Sequence, residues 1–171
     1  MQARAGFPAT MSIEIRHLAP GDIDWLVEQH GTHYAREEGF DPSFGALVHD
    51  ILLAFDADHD PTCERAFIAW DGGQRLGSIF CVRLDDETAK LRLFFLTPEA
   101  RGKGLGKRLL AECMGFARDA GYRRMTLWTH ESHRAACVLY ASAGWRLVRS
   151  KPVHNFGVDL IEQEWDIDLR T

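Results

Sequence analysis

The chain has 171 residues, 46% of them hydrophobic, enough for one domain with an ordinary globular core. Its formal net charge of −5 argues against a broad nucleic-acid-binding face, since such faces are basic. No apolar run approaches the length of a membrane span, and Cys63, Cys81, Cys113 and Cys137 show no C-x-x-C spacing, which disfavours a zinc site or a disulfide framework and suits free thiols in a reducing cytoplasm.

Residues 1–10 lack the apolar core of a signal peptide. A loose tail over 1–11 is expected, ahead of one domain over 12–171. Ser12–Leu18 alternates as a strand. Pro20-Gly21-Asp22 breaks it and starts a helix that runs to Glu38. After Gly39-Phe40-Asp41-Pro42, a second helix spans Ser43–Phe55, with Phe44, Leu47, Val48, Ile51 and Leu52 at helical spacing. Glu64–Trp70 and Gln74–Leu84 form a hairpin across Asp71-Gly72-Gly73. A second turn at Asp85-Asp86-Glu87 leads into a strand that ends at Leu96. A helix with Leu105, Leu109, Leu110, Cys113, Phe116 and Ala117 on one face stops at Gly121. Arg123–Thr129 is then a strand, parallel to the one before the helix. A short helix over Glu131–Ala143 and strands over Trp145–Ser150 and Leu160–Leu169, linked through Pro152 to Gly157, complete the chain. The order β-α-α-β-β-β-α-β-α-β-β makes an α/β fold with a mixed sheet and helices on both faces.

The stretch that carries chemistry lies between Leu91 and Gly121. An apolar strand ends at Thr97-Pro98, and a loop with Arg101, Gly102, Lys103, Gly104, Gly106 and Lys107 opens the next helix. A helix N-terminus leaves backbone N–H groups unpaired and carries partial positive charge. Glycines let that backbone approach a phosphate closely, and the cations add full charge. A Walker A loop is excluded because Arg101 stands at its first glycine and Arg108 follows Lys107 where a hydroxyl is needed. A dinucleotide loop is excluded because Lys107 stands at its third glycine.

The pattern that fits is Arg101-x-x-Gly104-x-Gly106, which resembles the coenzyme A loop of the GNAT superfamily of N-acetyltransferases. Ala136-x-x-Leu139-Tyr140-x-x-x-Gly144-Trp145 is similar to a second motif of that superfamily, and the element order matches its fold. The wording of Arg16–Gly21, His30-Gly31-x-x-Tyr34-Ala35-Arg36-Glu37, Leu127-Trp128-Thr129 and Phe156-Gly157-x-Asp159-Leu160 is closest to one bacterial branch. That branch is the acetyltransferase half of proteins that carry a MarR-type DNA-binding domain in front, and the resemblance leads us to expect a stand-alone version here.

The resemblance implies an acetyl-CoA-dependent enzyme that moves an acetyl group directly to an amine of a small molecule or protein. It implies no metal, no direct nucleic-acid contact and no membrane, with a monomer or homodimer expected. In such proteins the N–H at the position of Leu96 holds the thioester carbonyl, at a bulge that splays the strand. Pantetheine pairs along Phe94, Phe95 and Leu96. The N–H groups of Arg101, Gly102, Lys103, Gly104, Leu105, Gly106 and Lys107 hold the pyrophosphate, and Tyr140 lies near the sulfur as proton donor. His133 stands where many members have an asparagine that contacts pantetheine. Glu37, Glu38, His130 and His154 are candidates by residue type for acceptor binding or base. A non-catalytic acyl-CoA-binding module and a regulator working through an acetyltransferase partner remain alternatives. Phe40, Phe44, Phe55, Trp70 and Trp128 are read mostly as core, with one or two of them facing the acceptor, and His30 and His33 as structural.

Overall fold

A computed structural model describes residues 12–170, so the expected tail over 1–11 lies outside it. The elements are β1 (Ile13–Arg16), α1 (Asp22–Glu38), α2 (Ser43–Asp58), β2 (Arg65–Asp71), β3 (Gln74–Arg83), β4 (Thr88–Leu96), a 3-10 turn (Pro98–Ala100), α3 (Leu105–Asp119), β5 (Arg124–His130), α4 (Arg134–Ser142), β6 (Arg146–Asn155) and β7 (Val158–Asp168). The strands form one seven-stranded sheet in the order β1-β2-β3-β4-β5-β7-β6. All neighbours are antiparallel except β4 and β5, which α3 joins as a crossover. The element order is the one expected from the sequence.

Each face of the sheet has its own core. Leu26 of α1 and Val48, Leu52 and Phe55 of α2 pack on Ala66, Ile68 and Phe80. On the opposite face Leu109, Leu110 and Cys113 of α3 and Tyr140 of α4 join Phe67, Ile79, Leu91, Met125, Leu127 and Trp165. Strand residues alternate between these two cores because successive side chains point to opposite faces.

α1 begins with Asp22 and Asp24 in its first turn and ends at Gly39, whose φ is 74°. There the N–H groups of Gly39 and Phe40 turn back to the carbonyls of Ala35 and Tyr34, the double closure that a left-handed glycine permits. Asp22 has 0% exposure. Its carboxylate accepts the Ala19 N–H at 2.6 Å and the Arg75 Nε–H at 2.7 Å. The Arg75 guanidinium in turn lies 4.5 Å from the centre of the Trp70 ring. Removing the carboxylate strands the partly buried guanidinium and a backbone donor. Asp22→Ala should therefore cost about 3 kcal/mol, or roughly 6–12 °C in Tm for a chain of this size. A thermal melt checks it, and a loss under about 1 kcal/mol would mean the pair behaves as a surface ion pair.

The C-terminal hairpin differs from expectation. Instead of a long link through Pro152, β6 runs on to Asn155, pairing Pro152 with Ile161 and Asn155 with Val158. Phe156 and Gly157 make the turn with φ of 54° and 79°, the two positive values of a type I′ turn. Pro152 is accepted because β6 is the edge of the sheet, where a missing N–H need not break a ladder bond. α4 begins at Arg134, three residues later than expected, with His133 as its N-cap. Trp128, one of the aromatic set read mostly as core, is 52% exposed.

Candidate active site

Two features of β4 build the site. Its pairing with β5 covers only Thr88–Arg124, Ala89–Met125 and Lys90–Thr126, and beyond Lys90 the parallel partners separate into a fork. The second is a bulge. Ser78 of β3 pairs with Phe95 and Phe80 pairs with Arg92, so Ile79 faces two residues, Leu93 and Phe94. The bulge was expected at Leu96 and lies two to three residues earlier. Leu93 takes φ of 50°, an uncommon value for a leucine, and its carbonyl accepts the Ser78 hydroxyl at 2.7 Å.

The bulge shifts the phase of the strand. Ala89 and Leu91 belong to the α3 core, whereas beyond the bulge Phe94 and Leu96 take that side. Phe95 turns the other way, its ring 5.0 Å from His30, 5.5 Å from His33 and 6.2 Å from Trp25 of α1. Gly77 makes the close approach of β3 possible. A Cβ there would collide with the Phe95 carbonyl oxygen and lie 2.8 Å from Leu96 Cδ2.

A cavity of about 490 Å³ opens at this fork, within the usual range for small-molecule sites. β4 contributes Phe94, Phe95 and Leu96, and the loop contributes Arg101, Gly102, Gly104, Gly106 and Lys107. α1 contributes His33, Tyr34, Glu37 and Glu38, while Ser132, His133 and the first residues of α4 close the third side. The loop end fits a pyrophosphate. α3 starts at Leu105 behind Gly104, which has φ of 84°, no side chain caps the helix, and its first turn carries no acid. Unpaired N–H groups and the dipole thus face the cavity with no acid of the helix's own first turn against them. A Cβ on Gly104 or Gly102 would meet nothing within 4 Å, so the space over the loop is open to a ligand. Among the described residues no group of three His, Cys, Asp or Glu is placed to hold a metal ion.

The Leu105 side chain points into the core and the Lys103 side chain stands exposed outside the lining, so what these two offer the loop is backbone. Arg101 spans the mouth, its Nη1 2.9 Å from the Glu37 carboxylate and its Nε 3.3 Å from the Leu96 carbonyl. Glu38 lies deeper, its carboxylate 3.5 Å from His133 Nε2. His133 Nδ1 lies 3.2 Å from the Thr129 hydroxyl. Burial, with His130 adding to it, lowers the His133 imidazole to about 4. It is therefore neutral near pH 7, when the Thr129 hydroxyl donates to Nδ1 and Nε2–H faces Glu38.

Tyr140 is 3% exposed and does not line the cavity. Its ring lies 6.1 Å from Phe94 and 5.7 Å from Trp145. Burial pushes its phenol well above the usual range, so it holds its proton. Tyr34, which sequence reading did not single out, does line the cavity. Its ring stacks on Phe40 at 5.6 Å and lies 5.0 Å from His133. Burial also raises its phenol, to about 12. His130 sits behind this wall, 5.5 Å from His133 and 5.8 Å from Phe40. His154 is exposed on β6, where it meets Asp159 at 2.8 Å, apart from the cavity.

The neutral histidines set a pH limit on the fold. His30, buried and bonded through Nδ1 to the Leu26 carbonyl at 2.8 Å, is also lowered by burial to about 4. The unfolded chain takes up these protons near pH 6.5, while the folded chain resists until about 4. More protons are thus bound to the unfolded state in that window, so stability is full above it and falls with falling pH. The slope is about 1.4 kcal/mol per pH unit for each histidine. Melting temperature should drop between pH 7 and 5, and His133→Asn should flatten the fall. A flat profile in the parent protein would contradict neutral burial.

Comparison with known proteins agrees with this geometry. The family model described as Acetyltransferase (GNAT) family matches residues 23–145. Mycothiol acetyltransferase of Actinosynnema mirum is 26% identical over 140 residues, covering 81% of this chain and 46% of the relative, so the chain spans under half the length of that protein. An acetyltransferase structure from Streptococcus agalactiae superposes with a TM-score of 0.76 at 22% identity, covering 91% of this chain and 98% of the other. YncA from Salmonella typhimurium, solved with its cofactor acetyl-CoA, superposes with a TM-score of 0.72 at 19% identity, covering 92% and 94%. With a family match over most of its length and a glycine loop, helix N-terminus and forked β4 lining one cavity, the chain belongs to the GNAT acetyltransferase family.

Proposed function

We propose that the protein is an acetyl-CoA-dependent N-acetyltransferase that passes the acetyl group directly to an amine. The observation that carries this reading is the single cavity that joins the anion-accepting loop at Gly102–Gly106 to the unpaired tine of β4 at Phe94–Leu96. The loop takes the pyrophosphate, and the free edge of β4 offers N–H and C=O groups to the amides of pantetheine. His133 lines the α4 side of the pantetheine path. The amine forms a C–N bond to the thioester carbon as the C–S bond breaks. A backbone N–H at Leu96 steadies the negative charge that develops on the carbonyl oxygen. The nitrogen gives up a proton to a base on the cavity wall, for which Glu38 beside His133 is the best placed carboxylate. Tyr140 returns a proton to the leaving sulfur, whose thiol has an ordinary pKa of ~8.5.

We read the motif wording as most like the acetyltransferase half of MarR-type fusion proteins, and a cytoplasmic enzyme fits its free thiols. No helix among the described residues is long and apolar enough to cross a membrane. The alternative is an acyl-CoA-binding module without turnover. The test is release of free thiol from acetyl-CoA, with and without a panel of amines, on protein dialysed against EDTA. Amine-dependent release that survives dialysis is expected. Tight acetyl-CoA binding with no release for any amine would favour the binding module, and activity restored by added zinc or magnesium would remove the metal-free mechanism.

A further inference from the structure

Arg101 ties three walls of the cavity together. Its guanidinium meets the Glu37 carboxylate along both edges, Nη1 at 2.9 Å and Nη2 at 3.4 Å. Its Nε–H donates to the Leu96 carbonyl at 3.3 Å. One side chain of the glycine loop is thus bonded to the tip of β4 and to the last turn of α1, and all three residues line the same cavity.

What Arg101 covers is a group that a ligand on the open edge of β4 would use. In an antiparallel ladder the N–H and C=O of one residue point the same way, and those of the next residue point oppositely. The Phe95 carbonyl faces Gly77 of β3, and the Thr97 N–H donates to the Leu76 carbonyl at 2.9 Å. Leu96, between them, therefore turns both its N–H and its C=O to the side where β5 has parted. The Arg101 bond takes that carbonyl, beside the N–H that steadies the thioester oxygen in the reaction above. The ion pair itself is loosely held. Its side chains are 43% and 40% exposed, and pairs exposed to this degree shift an equilibrium by only a few-fold. A pyrophosphate over Gly102–Gly106 offers the guanidinium the same paired-oxygen geometry with more negative charge than one carboxylate.

We propose that Arg101 and Glu37 form a latch that acetyl-CoA must open. The coenzyme draws the guanidinium away from Glu37 and from the Leu96 carbonyl, and Glu37 opposes its binding by competing for Arg101. This rests on the reading that the cavity takes acetyl-CoA. Glu37 acts here as a brake on coenzyme affinity, since a ligand that needs the unlatched form binds more weakly by the fraction of protein that is latched. Opening the latch also uncovers the mouth between α1 and the tip of β4, so the coenzyme clears its own path along the strand.

The experiment is calorimetric titration of acetyl-CoA into the full chain, into Glu37→Gln, into Arg101→Gln and into the double variant, with thermal melts reporting that each is folded. Glu37→Gln should bind acetyl-CoA roughly 2- to 5-fold more tightly, the worth of a partly exposed ion pair. Arg101→Gln should bind it more weakly, and adding Glu37→Gln to that variant should then gain little, because the competition is gone. Removing any carboxylate near a polyanion gives some gain, and Glu38→Gln on the same wall measures that background, which should be the smaller. No gain in Glu37→Gln, or the same gain with and without Arg101, overturns the latch. So does a crystal structure with coenzyme A bound in which Arg101 keeps both Glu37 and the Leu96 carbonyl. Binding of acetyl-CoA by none of the five proteins would instead remove the acetyl-CoA reading, and the latch with it.

Discussion

Replacing Tyr140 with phenylalanine should lower kcat by roughly 10²- to 10⁴-fold, the usual contribution of a positioned general acid, and leave acetyl-CoA affinity nearly unchanged. The ring would keep its packing between Phe94, Trp145 and Trp165, so the fold should hold. Burial keeps this phenol protonated, which suits a group that must give a proton as the thiolate departs. A donor used only at that moment lowers the barrier without tightening the ground state. Tyr34 is the control, because it lines the cavity and Tyr140 does not. If Tyr34→Phe gives the large drop in kcat and Tyr140→Phe gives only a lower Tm, the acid is on α1. Steady-state kinetics and melting on the same preparations separate the two.

Gly104→Asp should weaken acetyl-CoA binding on the order of 100-fold or more, about 3 kcal/mol. Gly104 precedes α3 with φ of 84° and has open space where a Cβ would go. An aspartate there sets its own carboxylate against the N–H groups and the dipole of the helix. It would therefore fill the anion site while costing the fold little, since Asp tolerates left-handed backbone better than most residues. Gly104→Ala carries at least as large a backbone cost without the charge, and calorimetry should show only a small loss of affinity for it. Equal affinity for the parent and Gly104→Asp would remove the pyrophosphate from this loop.

What the sequence made legible was whatever has a local cause. α1 starts at Asp22 behind Pro20-Gly21 and stops at Gly39, because those residues set backbone angles by themselves. The loop glycines marked the open turn before α3 for the same reason. The bulge at Leu93 was not legible, since leucine gives no sign of left-handed backbone; the Ser78 hydroxyl and the β3 pairing hold it there. Tyr34 was missed because it sits in an ordinary helix, and only the packing of α1 against the fork brings it to the cavity. Pro152 was read as a break because its effect depends on whether the strand is central or at an edge. That is settled by the β5-β7-β6 order, which no local pattern states. Trp128 misled similarly: its face is open because α1 and α2 cover other strands.

The edge strand β6 also bears on how the molecule meets its own kind. An exposed ten-residue strand is a template on which another chain can add. Here Pro152 deletes one donor from that template, and Arg146, Arg149 and Lys151 would confront the same charges on a second copy laid alongside. Growth of the sheet past this edge is thereby disfavoured, which leaves the β1 edge, the helices and the open sheet face to copies that associate. Crowded, newly made chains gain the same protection against stacking edge to edge into fibrils.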